Sequence, residues 1–282
     1  MKDLGEASFI LGIQIIQDRK NMVLASSQAS YIDKVLVKFA TQNSKKGNLP
    51  SRNGIHLSKM QCPKNHKTVV SLIYALLCTR PDICFVVGVV SRYQSNPELN
   101  HWVAVKYILK YLRRIRNYML VYFGGDLIPI GYTDSDFQLD RDSRELTSGT
   151  VFILGGGAII WRSIKQSCIT DSTMKAEYAV AYEAAKESIW LCEFLRDLEV
   201  IPDMHKPIRL YCDNSGAMAN VKESRNHRKG KHIERKFYLV REIVSRGDVS
   251  VEKIASVNNI ADPFTKTLSA QSFEQHLEST GL

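Results

Sequence analysis

The order of elements that begins at Leu127 constrains the fold most. Ile128, Ile130 and Tyr132 alternate toward Asp134, the pattern of a strand with a carboxylate at its end. Val151–Leu154 and Ala158–Trp161 flank Gly155-Gly156-Gly157 and read as the arms of a hairpin. A long helix runs from near Thr173 to Leu198, followed by a strand at Ile208–Cys212 and a short helix at Ser215–Val221. A further helix spans His232–Ser245, with Ile233, Phe237, Val240 and Val244 along one stripe. A strand at Val249–Ile254 and a short helix near Ile260–Lys266 close the series. Three strands, helix, strand, two helices, strand and helix imply a mixed sheet covered by helices, an α/β layer architecture.

The preceding half has a different texture. Residues 9–16 read as one strand around Gly12, and Met22–Ala25 as its hairpin partner. Ile32, Val35, Leu36 and Phe39 fall on one face of a helix over Tyr31–Phe39, with a serine before it to cap it. Residues 41–66 are polar and interrupted by Gly47, Pro50, Gly54 and Pro63, as in a long connector. A helix is expected around Val69–Cys78, and Pro81 starts the next at Ile83. His101–Arg113 reads as a strongly basic helix packed through Val103, Val105, Ile108, Leu109 and Leu112. The boundary between the two halves falls near 119–127, giving expected domains at 1–122 and 127–268 and a C-terminal tail at 269–282.

A length of 282 residues suits one large domain or two ordinary ones, and an apolar content of 44% is enough for real cores. The apolar run Ile83–Val90 has about half the length needed to cross a bilayer. The start, Met1-Lys2-Asp3-Leu4-Gly5-Glu6, lacks the pattern of a secretory signal. No membrane association is therefore expected. Six scattered cysteines with no CxxC spacing give no support to zinc binding or a disulfide framework, and free thiols in a reducing compartment are expected. The formal charge is +9, with Lys222, Arg225, Arg228, Lys229, Lys231, Arg235, Lys236 and Arg241 concentrated in one stretch. That stretch is either a contact for a nucleic-acid backbone or a solvated basic face.

Four acidic residues are candidates for chemistry: Asp134 at a strand end, Glu177 in the first turns of the long helix, Asp213 after the strand ending at Cys212, and Asp262 opening the last helix. Carboxylates gathered at one sheet edge need a cation, and Mg²⁺ prefers hard oxygen ligands. Two such ions ~4 Å apart can activate water and stabilise a leaving oxygen of a phosphodiester. Each residue also has a plain structural role open to it. Asp262 could cap its helix, Glu177 could pair with Lys175, and Asp136 competes with Asp134 as the ligand.

The motifs in order sharpen this reading. Gly131-Tyr132-Thr133-Asp134-Ser135-Asp136, Asp171-Ser172-Thr173-Met174-Lys175-Ala176-Glu177-Tyr178, Tyr211-Cys212-Asp213-Asn214 and Ala261-Asp262-Pro263-Phe264-Thr265-Lys266 resemble the ribonuclease H domain of Ty1/copia-type retrotransposon Pol polyproteins. Gly156-Gly157-Ala158-Ile159-Ile160-Trp161 and Lys231-His232-Ile233 extend the match. Met1–Gly5 with Phe9–Ile13, Thr79-Arg80-Pro81-Asp82, Ser91-Arg92-Tyr93 and His101-Trp102 resemble the region after the polymerase active site in the same polyproteins.

The resemblance implies a ribonuclease H-like mixed five-stranded sheet with flanking helices, preceded by a mainly helical reverse-transcriptase thumb and connection remnant. It implies Asp134, Glu177, Asp213 and Asp262 as catalytic metal ligands for two Mg²⁺ ions, with Mn²⁺ as substitute. The implied reaction is hydrolysis of the RNA strand of an RNA–DNA hybrid, with Arg228, Lys229, Lys231 and Arg235 as nucleic-acid contacts. Intact polymerase or other Pol regions are implied partners, in an intracellular setting, either a cytoplasmic particle or the nucleus. The polymerase's paired-aspartate strand motif is absent from the sequence, so a complete reverse transcriptase is not expected. Lys175 where the family has Glu, Val70 at a usual glycine and Glu145-Leu146-Thr147 in a usually more basic stretch suit a degenerate copy. The alternative is thus an inactive relic that keeps nucleic-acid binding or a structural role.

Overall fold

Leu11 and Gly12 both take positive φ, 51° and 79°, and turn the apolar run at 9–16 back on itself. The expected single strand is therefore two, β1 (Phe9–Ile10) and β2 (Ile13–Asp18), paired antiparallel through Ile10 and Ile13. Two successive positive-φ residues are what a tight hairpin requires, and alternation of apolar residues does not reveal it. The computed structural model describes residues 5–51, 57, 68–93, 99–125, 127–136, 146–166, 173–199, 207–216, 218 and 231–282, with the backbone alone at 68–70, 173–175 and 231–237.

The chain divides into two compact units. The first comprises Met1–Gly125, Gly156–Ala158 and Thr267–Leu282; the second comprises Asp126–Gly155 and Ile159–Lys266. In the first, β1 and β2 continue through β3 (Val23–Ser27) to β4 (Leu120–Phe123) in a sheet of order β1-β2-β3-β4. The short β4, absent from the sequence reading, is recruited by antiparallel pairing with β3 across the intervening helices. Those helices are α1 (Ala29–Lys38), α2 (Thr68–Thr79), α3 (Cys84–Ser91) and α4 (Leu99–Arg114).

At the start of helix α1, Gln28 holds the cap position and makes no side-chain capping bond, while Ser27 Oγ, one residue earlier, accepts from Ala29 N at 3.3 Å as the expected serine would. The Gln28 side chain is buried instead and accepts from Thr79 Oγ1 at 2.7 Å. On α4, Val105, Ile108, Leu109 and Leu112 are buried as expected, but Val103 is exposed. It lies two positions, about 200° of helical rotation, from Val105 and so falls off the packing stripe. The segment expected as a tail forms α7 (Ala270–Ser279), whose Phe273 and Leu277 are buried. Phe273 meets Tyr111 edge-on at 5.8 Å, and Arg114 pairs with Glu274.

Inside this unit sits a buried polar knot. The Arg80 guanidinium grips both oxygens of Asp82 and donates to the Ile115 carbonyl at 3.2 Å. The Tyr111 hydroxyl donates to Asp82 Oδ2 at 2.5 Å, and burial, then the Asp82 charge, push its pKa well up. Such a pair is costly to break from one side. Arg80→Met, which leaves Asp82 buried without its cation, is expected to destabilise this unit by ~3–5 kcal/mol; urea unfolding followed by circular dichroism would measure it.

The second unit holds the sheet that positions the acidic residues. Its strands are β5 (Ile130–Asp136), β6 (Thr147–Leu154), β7 (Gly157–Lys165), β8 (Ile208–Cys212) and β9 (Val249–Lys253), in the order β7-β6-β5-β8-β9. β6 runs antiparallel to β5, whereas β8 and β9 join in parallel. Parallel neighbours need long crossovers. Here α5 (Thr173–Asp197) lies between β7 and β8, and α6 (Lys231–Arg246) between β8 and β9. Phe152, Tyr178, Leu191, Leu195, Leu210, Val240, Ile243 and Val251 pack between the helices and the sheet. This is the ribonuclease H-like mixed five-stranded sheet with flanking helices that the motifs imply. The expected helix at 260–266 is shorter, a 3-10 turn at Asp262–Phe264 with Pro263 near its start. Of the expected helix at 215–221, only Ser215, Gly216 and Met218 are described, and they are helical.

Candidate metal centre

The sheet register brings the first two carboxylates together. Thr133 of β5 lies opposite Cys212 of β8 in a parallel pair, so Asp134 and Asp213 follow one residue later, Asp134 still within β5 and Asp213 just past the end of β8. Thr133 Oγ1 donates to the Tyr211 carbonyl at 3.2 Å across this seam. The turn after β9 supplies the third. Asn259, fully buried, donates from Nδ2 to the Thr133 carbonyl at 3.0 Å and accepts from Ala261 N at 3.2 Å. That brace places Asp262 beside Asp134. Oxygens of Asp134, Asp213 and Asp262 all lie within 4.8 Å of one another.

Glu177 enters from the first turns of α5. Its Oε1 accepts from Ser135 N at 3.1 Å, and its Oε2 lies 3.9 Å from Cys212 Sγ. Glu177, Cys212 and Asp213 form a second set with the same 4.8 Å spacing, so Asp213 joins all four expected acidic residues into one constellation. Among the described residues, Asp136 belongs to neither set.

Several residues with no role in the sequence reading hold this arrangement. Ser256 Oγ donates to Asp213 Oδ2 at 2.7 Å, and Thr265 Oγ1 donates to Asp134 Oδ2. Lys266 Nζ lies 3.0 Å from Asp262 Oδ2 and 3.7 Å from Asp134 Oδ2. Lys266 had a local signal, its four-residue spacing from Asp262; the bonds of Ser256 to Asp213, Asn259 to Thr133 and Thr265 to Asp134 span long sequence separations. The close approach also depends on Gly149, the β6 partner of Asp134. A Cβ there would stand 2.8 Å from Thr265 Cγ2, 2.9 Å from Phe264 Cβ and 3.0 Å from the Ala261 carbonyl.

The donors suit a hard cation. Carboxylate oxygens dominate the site, and Asp262 Oδ1 is buried with no hydrogen-bond partner, a vacancy in its bonding that a cation would satisfy. These acidic residues could hold a metal ion. Of the expected nucleic-acid contacts, Arg228 and Lys229 lie outside the described residues, and Lys231 and Arg235 are described only as backbone in α6.

No family model matches the chain. Over 294 aligned residues, covering the whole chain, it is 40% identical to the "Retrovirus-related Pol polyprotein from transposon TNT 1-94" of Nicotiana tabacum. It is 29% identical over 288 residues, again its whole length, to the counterpart from transposon RE1 of Arabidopsis thaliana. The chain belongs to the Ty1/copia-type retrotransposon Pol family. It spans 22% and 19% of the length of these two relatives. Among solved structures, LC11-RNase H1 from compost aligns at 17% identity and a TM-score of 0.38, covering 54% of this chain and 99% of that one.

The electrostatics of this Pol segment follow from crowding. Burial, reinforced by Asp134 and Asp213, pushes the Glu177 carboxyl up to about 8. Burial and Asp134 push Asp262 up to about 6, against the pull of Lys266. Asp134 is also raised, chiefly by burial, with Lys266 and Thr265 opposing. Burial lowers the Lys266 ammonium, but Asp134 and Asp262 more than offset it and leave it raised.

Two outcomes follow. Glu177 keeps its proton in the metal-free fold up to about pH 8 but ionises near 4.5 when unfolded. The folded chain then binds more protons across that window, so its stability falls as pH rises from 5 to 8. Thermal melting in chelator at several pH values should show the decline, and Glu177→Gln should remove its part above about pH 6, leaving below it the share that Asp262 contributes. Gly149→Ala should cost ~1–3 kcal/mol through overpacking and displace the turn at 261–265, detectable as reduced melting temperature and altered amide shifts at Asp262 and Thr265.

Proposed function

We propose that the second unit is a metal-dependent endoribonuclease that hydrolyses the RNA strand of an RNA–DNA hybrid. The observation that carries this reading is the gathering of Asp134, Asp213 and Asp262 at one sheet edge, joined through Asp213 to Glu177. These four carboxylates would hold two Mg²⁺ ions, or Mn²⁺ in their place. The ions, when bound, supply an activated water and stabilise the leaving oxygen of the phosphodiester.

The protein's own contribution is pre-organisation. Ser256 holds Asp213, Thr265 holds Asp134, the Ser135 amide holds Glu177, and Asn259 fixes the turn carrying Asp262. Carboxylates braced in this way need little rearrangement when a cation arrives. Selection of the hybrid rests on its shape and 2′-hydroxyls. Arg228, Lys229, Lys231 and Arg235, within the basic stretch, are the proposed phosphate contacts. Membership of the Pol family supports an intracellular setting and other Pol regions as partners.

Purified protein with Mg²⁺ should cut the RNA of a labelled hybrid and leave RNA and DNA duplexes largely intact. Asp213→Asn should abolish cleavage while preserving the circular dichroism spectrum and melting transition. Salt-sensitive hybrid binding without metal-dependent cutting would instead identify an inactive relic.

A further inference from the structure

Lys266 places an ammonium inside the carboxylate cluster, 3.0 Å from Asp262 Oδ2 and 3.7 Å from Asp134 Oδ2. Asp262 is consequently asymmetric. One of its oxygens meets the ammonium, while the other is buried and unpartnered. The chain enforces the contact locally: Lys266 N donates to the Asp262 carbonyl at 3.2 Å, which holds the lysine one turn beyond the aspartate. The lysine side chain is 35% exposed, so its head group can reach water without unpacking its stem.

We propose that Lys266 is a tethered counter-ion that competes with the divalent cation for Asp134 and Asp262. It holds the two carboxylates together in the metal-free protein and sets how tightly the cation binds. This inference rests on the reading of the cluster as a metal site. Like charges a few ångströms apart repel strongly where water is partly excluded. A cation on these oxygens must therefore displace the ammonium or bind beside it at a cost. An ordinary structural ion pair has the opposite consequence, because its loss would loosen the carboxylates and weaken metal binding.

Mn²⁺ titration by isothermal calorimetry on the full chain separates the two. Lys266→Gln keeps a polar partner for Asp262 but removes the charge. It should bind Mn²⁺ about tenfold more tightly than wild type and melt at a lower temperature without metal, while Lys266→Arg should stay close to wild type. If wild type binds Mn²⁺, Asp213→Asn loses binding, and Lys266→Gln binds no more tightly than wild type, the counter-ion role fails and the metal site stands. Absence of Mn²⁺ binding by wild type overturns both. A measurement on unsubstituted protein guards against misfolding of the variants: acetylation of Lys266, followed by mass spectrometry, should be faster with saturating Mn²⁺ than in chelator. Equal rates would overturn the proposal.

Discussion

Burial of acidic side chains at one end of the sheet is the constraint on which the second unit's candidate site turns. Asp134, Glu177 and Asp262 are almost fully buried, and each has its pKa raised first by that burial. Isolated buried charge is costly, and the surrounding groups are arranged to offset it. Lys266 contributes the opposing charge, and Ser256, Thr265 and the Ser135 amide contribute hydrogen bonds. A divalent cation would complete that compensation.

The sheet makes the crowding unavoidable. Parallel pairing of β5 with β8 fixes Thr133 opposite Cys212, and a shift of one residue would turn Asp134 or Asp213 to the other face. The Asn259 brace then ties the chain after β9 to the same point, and Gly149 leaves room for it. The polar knot of Arg80, Asp82 and Tyr111 solves a similar problem in the first unit by another route. There the cation belongs to the chain itself and is gripped by both carboxylate oxygens, leaving the carboxylate no role for an external ion.

Much of the second unit was legible because its elements are long and strongly patterned. The strand into Asp134, the hairpin at Gly155-Gly156, the long α5 and the strand ending at Cys212 all carry clear periodicity. The first unit was less legible where structure depends on turn geometry or distant pairing. The break at Leu11-Gly12 depends on backbone torsions, and β4 is a strand only because β3 offers it an edge. Helix α7 looked like a tail because its few apolar residues acquire meaning only against Tyr111 and its neighbours.

The sequence by itself carried the family resemblance and singled out four acidic candidates, since motif order along a chain needs no coordinates. It left open whether Asp134 or Asp136 joins the cluster, and whether Asp262 merely starts a helix. Tertiary structure brings Asp134 and Asp262 together, because β-sheet register and the Asn259-braced turn put their oxygens within 4.8 Å of each other and of Asp213. It also revealed Lys266 as the cluster's internal charge partner. A four-residue spacing allows that contact, but only the convergence of separate strands gives the ammonium a second carboxylate to meet.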